Sequence, residues 1–195
     1  VKFYKACRGA GIKPIGAADV WIGNPNAPDK PFHAMLIIRN DAGYLRLSEL
    51  LTAAYVGKDR NIHHAELNPE WLENGDNSGL ICLSGAHYGE VGVNLLNGNE
   101  DAARAAALKY AAWFPDAFYL ELQRLPERPE WEACVSGSVK LAEELGLPVV
   151  ATHPTQFMSS DDFNAHEARV CIAGGWVLTD KKRPRDFTPS QFFIP

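Results

Sequence analysis

Six side chains able to donate a lone pair or move a proton stand at or near segments that read as β-strands: Asp19, His33, Ser84, His87, Glu121 and His153. The clearest case is Leu147-Pro148-Val149-Val150-Ala151-Thr152-His153-Pro154-Thr155-Gln156, where an apolar β-type run stops at a polar cluster after a long helical pattern. In α/β folds the carboxyl ends of strands build the site, in closed barrels and open sheets alike. Carboxylates and imidazoles gathered there would hold divalent metal ions or act as general acid and base.

Other chemistries find less support. Ser84-Gly85-Ala86-His87 follows a strand, but Cys82 rather than Gly lies two before Ser84, so the strained nucleophile elbow is missing and Ser84 reads as a turn serine. His166-Glu167 lacks the second histidine of a zinc helix, since Val170 stands in its place. His63-His64 is expected in a loop among Asp59, Arg60, Asn61 and Glu66; adjacent side chains diverge and rarely share a metal. No phosphate-binding glycine loop occurs. A small-molecule enzyme using Asp19 or Glu121 as acid or base remains an alternative, although a strand-end carboxylate is more often hydrogen-bonded structure.

The elements that must position these groups alternate in type. Residues 12–15 and 20–22 read as short strands around a turn, and 25–31 as a loop holding three prolines. The apolar run 34–38 is a strand, after which Asn40 and Asp41 cap a helix with the face Tyr44, Leu47, Leu50, Leu51 and Tyr55. A strand at 79–83 precedes a short helix at 89–96 and an alanine-rich one at 100–114. A strand at 118–122, a helix at 131–145 closed by Gly146, and a strand at 148–152 follow. Ser160-Asp161-Asp162 starts a last helix through Phe163, His166, Val170 and Ile172, ended by Gly174-Gly175. Repeated βα units imply parallel strands with helices outside, whether the sheet is closed or open.

At 195 residues the chain is read as one domain spanning 1–195, with no internal repeat or low-complexity linker. A composition that is 46% hydrophobic and 22% charged excludes a disordered chain, and no apolar run nears the ~20 residues that span a bilayer. A soluble, cytoplasmic protein is expected. Cys7, Cys82, Cys134 and Cys171 lie far apart and suggest reduced thiols; Cys82 and Cys171, within apolar runs, read as small core hydrophobes. A net charge of −5 disfavours strong DNA binding by this chain alone. The basic run Lys181-Lys182-Arg183-Pro184-Arg185, flanked by Asp180 and Asp186, reads as a solvated loop. The first residues are expected to lie inside a helix whose preceding strand has been lost by truncation.

Several segments, in order, carry a family resemblance. Gly79-Leu80-Ile81-Cys82-Leu83-Ser84-Gly85 matches a G-L-I-x-L-S-G segment, Phe118-Tyr119-Leu120-Glu121-Leu122 an F-x-L-E-L, and Leu147 to Thr152 an L-P-V-V-A-T. His33, the strand after it and Asn40-Asp41-Ala42-Gly43-Tyr44 are similar to a histidine, strand and N-x-x-G-Y turn. Phe3-Tyr4 through Gly11-Ile12-Lys13-Pro14-Ile15, then Asp162-Phe163-Asn164-Ala165-His166-Glu167 and Arg183-Pro184-Arg185, extend the match. Together they resemble the polymerase-and-histidinol-phosphatase (PHP) domain near the amino terminus of bacterial DNA polymerase III alpha subunits, in its proteobacterial type.

The resemblance implies an α/β fold, a distorted parallel βα barrel incomplete at its amino-terminal end, without the H-x-H motif that would precede Val1. It implies a metal site whose acidic ligand position is Asp19 and whose histidine position is His33. In metal-competent members a cysteine follows L-S-G and N-D-x-H follows A-T; here those ligand positions hold Ala86, Pro154 and Gln156. Alanine and proline side chains donate no lone pair, and a neutral amide is a weak substitute for imidazole. A degenerate, metal-free site without catalytic residues is therefore expected, serving as a scaffold and as the docking site for the proofreading exonuclease (epsilon) subunit of the polymerase III holoenzyme. Mg²⁺ would act in the parent's polymerase domain, and DNA would be met through the parent protein. The alternative is an active Zn²⁺- or Mn²⁺-dependent phosphoesterase or 3′–5′ proofreading nuclease of the same fold. Residues 188–193 look like the segment leading out toward the palm domain, with Phe192 and Phe193 partly exposed.

Overall fold

A computed structural model describes residues 1–58, 60–61 and 65–194. The pair His63-His64, expected in a loop, lies outside the described residues.

Helix α1 (Lys2–Gly9) precedes strand β1 (Ala17–Ile22), and a loop over 23–31 returns the chain as β2 (Phe32–Ile38). Residues 12–15, expected as a strand, form none. Pairing with β2 starts where Ile38 N–H donates to Gly16 O at 2.8 Å, and Ile12 and Ile15 before it are exposed. Helices α2 (Asp41–Val56) and α3 (Pro69–Glu73) lead to β3 (Leu80–Leu83), then α4 (Glu90–Leu96) and α5 (Glu100–Trp113) lead to β4 (Phe118–Leu122). Helix α6 (Glu132–Leu145), β5 (Val149–Ala151) and α7 (Phe163–Gly174) complete the order.

The five strands form one sheet in the order β1-β2-β3-β4-β5. Strand β2 runs antiparallel to both neighbours, while β3, β4 and β5 are mutually parallel. The strand at 34–38 and its helix are thus not a parallel βα unit. The connection over 23–31 is too short for the crossover of a dozen or more residues that a parallel pair needs, and an apolar run does not encode strand direction. The remaining βα units are parallel as expected. The architecture is α/β and PHP-like, an incomplete barrel whose sheet does not close among the described residues. Reversal of β2 has one functional consequence: its amino-terminal end, carrying His33, lies beside the carboxyl ends of β1 and β3.

The core lies between the sheet and its helices, with Ile22, Leu36, Leu50, Leu67, Leu72, Leu80, Phe114 and Leu120 fully buried. Asn40 caps α2 by accepting the Gly43 N–H at 3.0 Å. A Cβ on Gly43 would lie 1.8 Å from Gly79 O, so glycine at this position lets α2 touch the start of β3. Helix α5 offers Ala103, Ala106 and Ala107 to the core, small side chains that permit close approach. Helix α3 was not expected from periodicity; Pro69 at its start and the Asn68 side chain accepting from Glu70 N–H define it. Cys82, Cys134 and Cys171 are buried free thiols, which bears out the core reading of Cys82 and Cys171.

The basic run is only partly a solvated loop. The Arg183 guanidinium pairs with Glu167, and both side chains are nearly buried. Lys181, Lys182 and Arg185 are exposed. Among the described residues, no helix is long and apolar enough to cross a membrane.

Candidate functional site

A cavity of about 440 Å³ opens at the strand ends, with Asp19, His33, His87, Glu121 and His153 in its wall beside Trp21, Gln123, Trp131, Thr152 and Gln156. Asp19 lies within β1 rather than beyond its end. Alternation along the strand puts Asp19 and Trp21 on one face, and the antiparallel register sets them opposite Met35 and His33. His33 Nε2 lies 3.4 Å from Asp19 Oδ1, and the Trp21 and His33 ring centroids are 5.2 Å apart. The hydrogen bond from His33 holds the Asp19 carboxyl below its ordinary value, against the opposing effect of partial burial.

The turn after β3 is tightly constrained. Gly85 has φ +75°, and a Cβ there would lie 2.0 Å from His33 O, so glycine is required both by conformation and by space. Ala86 follows at φ 46°, unusual for a residue with a side chain, and is buried. His87 is 6% exposed and stacks on Trp131, the ring centroids 3.5 Å apart. Neither of its ring nitrogens has a hydrogen-bond partner among the described residues, and both are shielded from solvent. Burial first, then the positive charge of Arg128, pushes its pKa down to about 4. His87 is therefore a neutral, packed imidazole.

Ser84 is no nucleophile in this arrangement, because its Oγ accepts the Glu121 backbone N–H at 2.9 Å and links β3 to β4. Glu121 is 4% exposed; its Oε1 accepts from the Thr152 hydroxyl at 2.5 Å and from Gln123 Nε2 at 3.0 Å. Gln123 Nε2 also donates to Thr152 Oγ1 at 3.0 Å. The carboxyl ends of β4 and β5 are thereby stapled by side chains. His153 Nε2 stands 2.9 Å from Ser190 O and serves as the donor to that carbonyl. Gln191 Nε2 donates to Pro154 O at 3.1 Å, and Gln156 N–H donates to Gln191 O at 2.8 Å. The returning segment thus covers the end of β5, with Asp186, Phe187 and Gln191 in the cavity wall. Phe193 is exposed and Phe192 half-buried.

All six sequence candidates are near this cavity, and five line it, with Ser84 just behind as an anchor. Gln123, Thr152, Trp131 and Gln191 were missed. Gln123 and Thr152 directly follow strands and could have been found by that position; no sequence signal marks Gln191, which returns from far along the chain.

The metal site implied by the resemblance does not fit these residues. Asp19 and His33 face each other, His153 donates its Nε2–H to a backbone carbonyl and keeps only Nδ1 as a lone pair, and Glu121 Oε1 is engaged by two donors. The His87 nitrogens are shielded, and Ala86 and Pro154 bring no side-chain donor. Among the described residues, no three His, Cys, Asp or Glu side chains converge as a metal site. Each hard or borderline cation takes four to six donors, and no such set converges in this wall among the described residues.

The sequence profile of the PHP domain matches residues 1–125. DNA polymerase III subunit alpha of Neisseria meningitidis serogroup A is 97% identical over 195 residues, all of this chain and 17% of that protein. The corresponding subunit of Escherichia coli K12 is 42% identical over 192 residues, 98% of this chain and 16% of that protein. That of Pseudomonas fluorescens is 43% identical over 193 residues, again covering 16% of its length. The chain thus spans about a sixth of the length of these relatives.

Proposed function

The chain belongs to the PHP domain family, and from that premise we propose that it is the PHP portion of a replicative DNA polymerase III alpha subunit, acting as a metal-free scaffold and as the docking site for the proofreading exonuclease subunit. The observation that carries this reading is that, among the described residues, the donors of the strand-end cavity do not converge on one point. Asp19 and His33 satisfy one another, and Ala86, Pro154 and Gln156 occupy positions where the resemblance implies ligands. A site whose remaining donors do not converge keeps the shape of its fold but loses the means to activate water or clamp a phosphate. A role in positioning partners then remains, as fold and function separate readily.

Nucleotidyl transfer would belong to other regions of the longer polypeptide, where carboxylates hold Mg²⁺, and that polypeptide would work in the cytoplasm on DNA within the polymerase III holoenzyme. In this chain the strand-end residues preserve the geometry of the scaffold: Ser84 and Thr152 tie neighbouring strands through Glu121, and Gln191 holds the segment that covers β5.

The test is binding of the exonuclease subunit to the full-length alpha subunit, measured with and without residues 1–195. Loss of binding on deletion, with polymerase activity on primed template retained, supports docking here. Undiminished binding after deletion overturns it.

A further inference from the structure

Helix α7 and the loop behind it expose apolar and basic side chains together. Arg169 and Ile172 are three residues apart on α7 and so are neighbours on its surface; Ile172 is 83% exposed. Beyond the left-handed Gly175, Val177 is 66% exposed and Leu178 48%. The next residues do not drift away. Arg183 pairs with the nearly buried Glu167 and its Nε donates to Leu178 O at 3.2 Å, which folds the basic loop back onto α7.

Lys181, Lys182 and Arg185 are exposed there, and among the described residues none of them is in an ion pair. Of the flanking acids, Asp180 accepts the Lys182 N–H through Oδ1 at 2.8 Å, and Asp186 lies in the wall of the strand-end cavity. Counted against Asp180 and Asp186, the cations Arg169, Lys181, Lys182 and Arg185 still outnumber the acids, so the surface is locally cationic in a chain of net charge −5, and Lys181 and Lys182 share a loop with the exposed Val177 and Leu178.

We propose that this surface docks an acidic protein segment interspersed with apolar residues. Charge complementarity selects the acidic character and steers association; Ile172, Val177 and Leu178 select the apolar anchors, because desolvated hydrophobic contacts supply most of the affinity of such interfaces. A nucleic acid would use the lysines and arginines but leave the aliphatic groups uncovered, and the chain's net negative charge opposes it. A bilayer is a poorer match, since α7 turns His166, Glu167 and Cys171 inward and has no long apolar face to lay into lipid. The inference stands apart from the metal-free reading of the strand-end cavity.

The experiment uses the full-length polypeptide that carries this chain and a labelled probe peptide of Glu and Asp interspersed with Leu. Fluorescence anisotropy should show micromolar binding that weakens about tenfold or more with the K181E/K182E variant and, separately, with I172S/L178S. These positions are exposed, so circular dichroism should be unchanged. Failure to bind, equal binding of a Leu-free polyglutamate, or tighter binding of single-stranded DNA or phosphatidylserine vesicles would each overturn the proposal.

Discussion

The Thr152 hydroxyl donates to Glu121 Oε1 at 2.5 Å, joining two parallel strands where they end in the cavity. The partnership keeps a carboxylate acceptable at 4% exposure, because a buried polar group is costly chiefly when a partner is missing. Thr152→Val retains the shape and removes the donor. It should cost about 1–3 kcal/mol, read as a lower midpoint in urea with an unchanged slope.

Gly85→Ala should be more severe than its single methyl suggests. The backbone sits at φ +75° and the added Cβ would meet His33 O, so left-handed strain and overpacking combine. A loss of about 2 kcal/mol or more is expected, and chemical denaturation measures it.

The buried pair of Glu167 and Arg183 makes a sharper prediction. Arg183→Met strands a buried carboxylate and should destabilise by about 3–5 kcal/mol. The double variant Glu167→Leu/Arg183→Met should recover much of that loss, since well-packed apolar replacements of buried ion pairs are often neutral. A double-mutant cycle reads the coupling directly.

Two groups shift in the same sense, and their pH consequences agree in sign. His87 titrates near 4 in the folded chain, against an ordinary value of 6.5. Between those values the unfolded chain takes up a proton that the folded chain refuses. The stabilisation is present above pH 6.5 and is lost as pH falls toward 4. Asp19, lowered by its bond to His33, contributes above its ordinary carboxylate range and loses that contribution as pH falls through its folded value. His87→Phe should flatten the dependence of stability on pH between 6.5 and 4, and His33→Ala should return Asp19 toward its ordinary value in an NMR titration.

Much of this fold is legible in local pattern. Asn40 before α2, Gly146 after α6 and Gly175 after α7 stand where caps demand them, and the strand 118–122 agrees residue for residue. What local pattern lacks is direction and distance. The run 34–38 is equally apolar read either way, so the reversal of β2 follows from its short connection rather than from its residues. Residues 12–15 have strand-like character, but pairing with β2 begins only at Gly16. The site was findable as a cluster of strand-end polar residues. Its closure was not, because Gln191 reaches Pro154 through a contact that only the folded chain creates.

The central claim is that the strand-end cavity has lost its metal chemistry. Metal content by plasma mass spectrometry, on the full-length protein with residues 1–195 and on the protein lacking them, tests it most directly when paired with a phosphodiesterase assay in added Mn²⁺ and Zn²⁺. The account predicts no metal attributable to residues 1–195 and no turnover. Stoichiometric zinc or manganese that disappears with the deletion, together with hydrolysis, would contradict it.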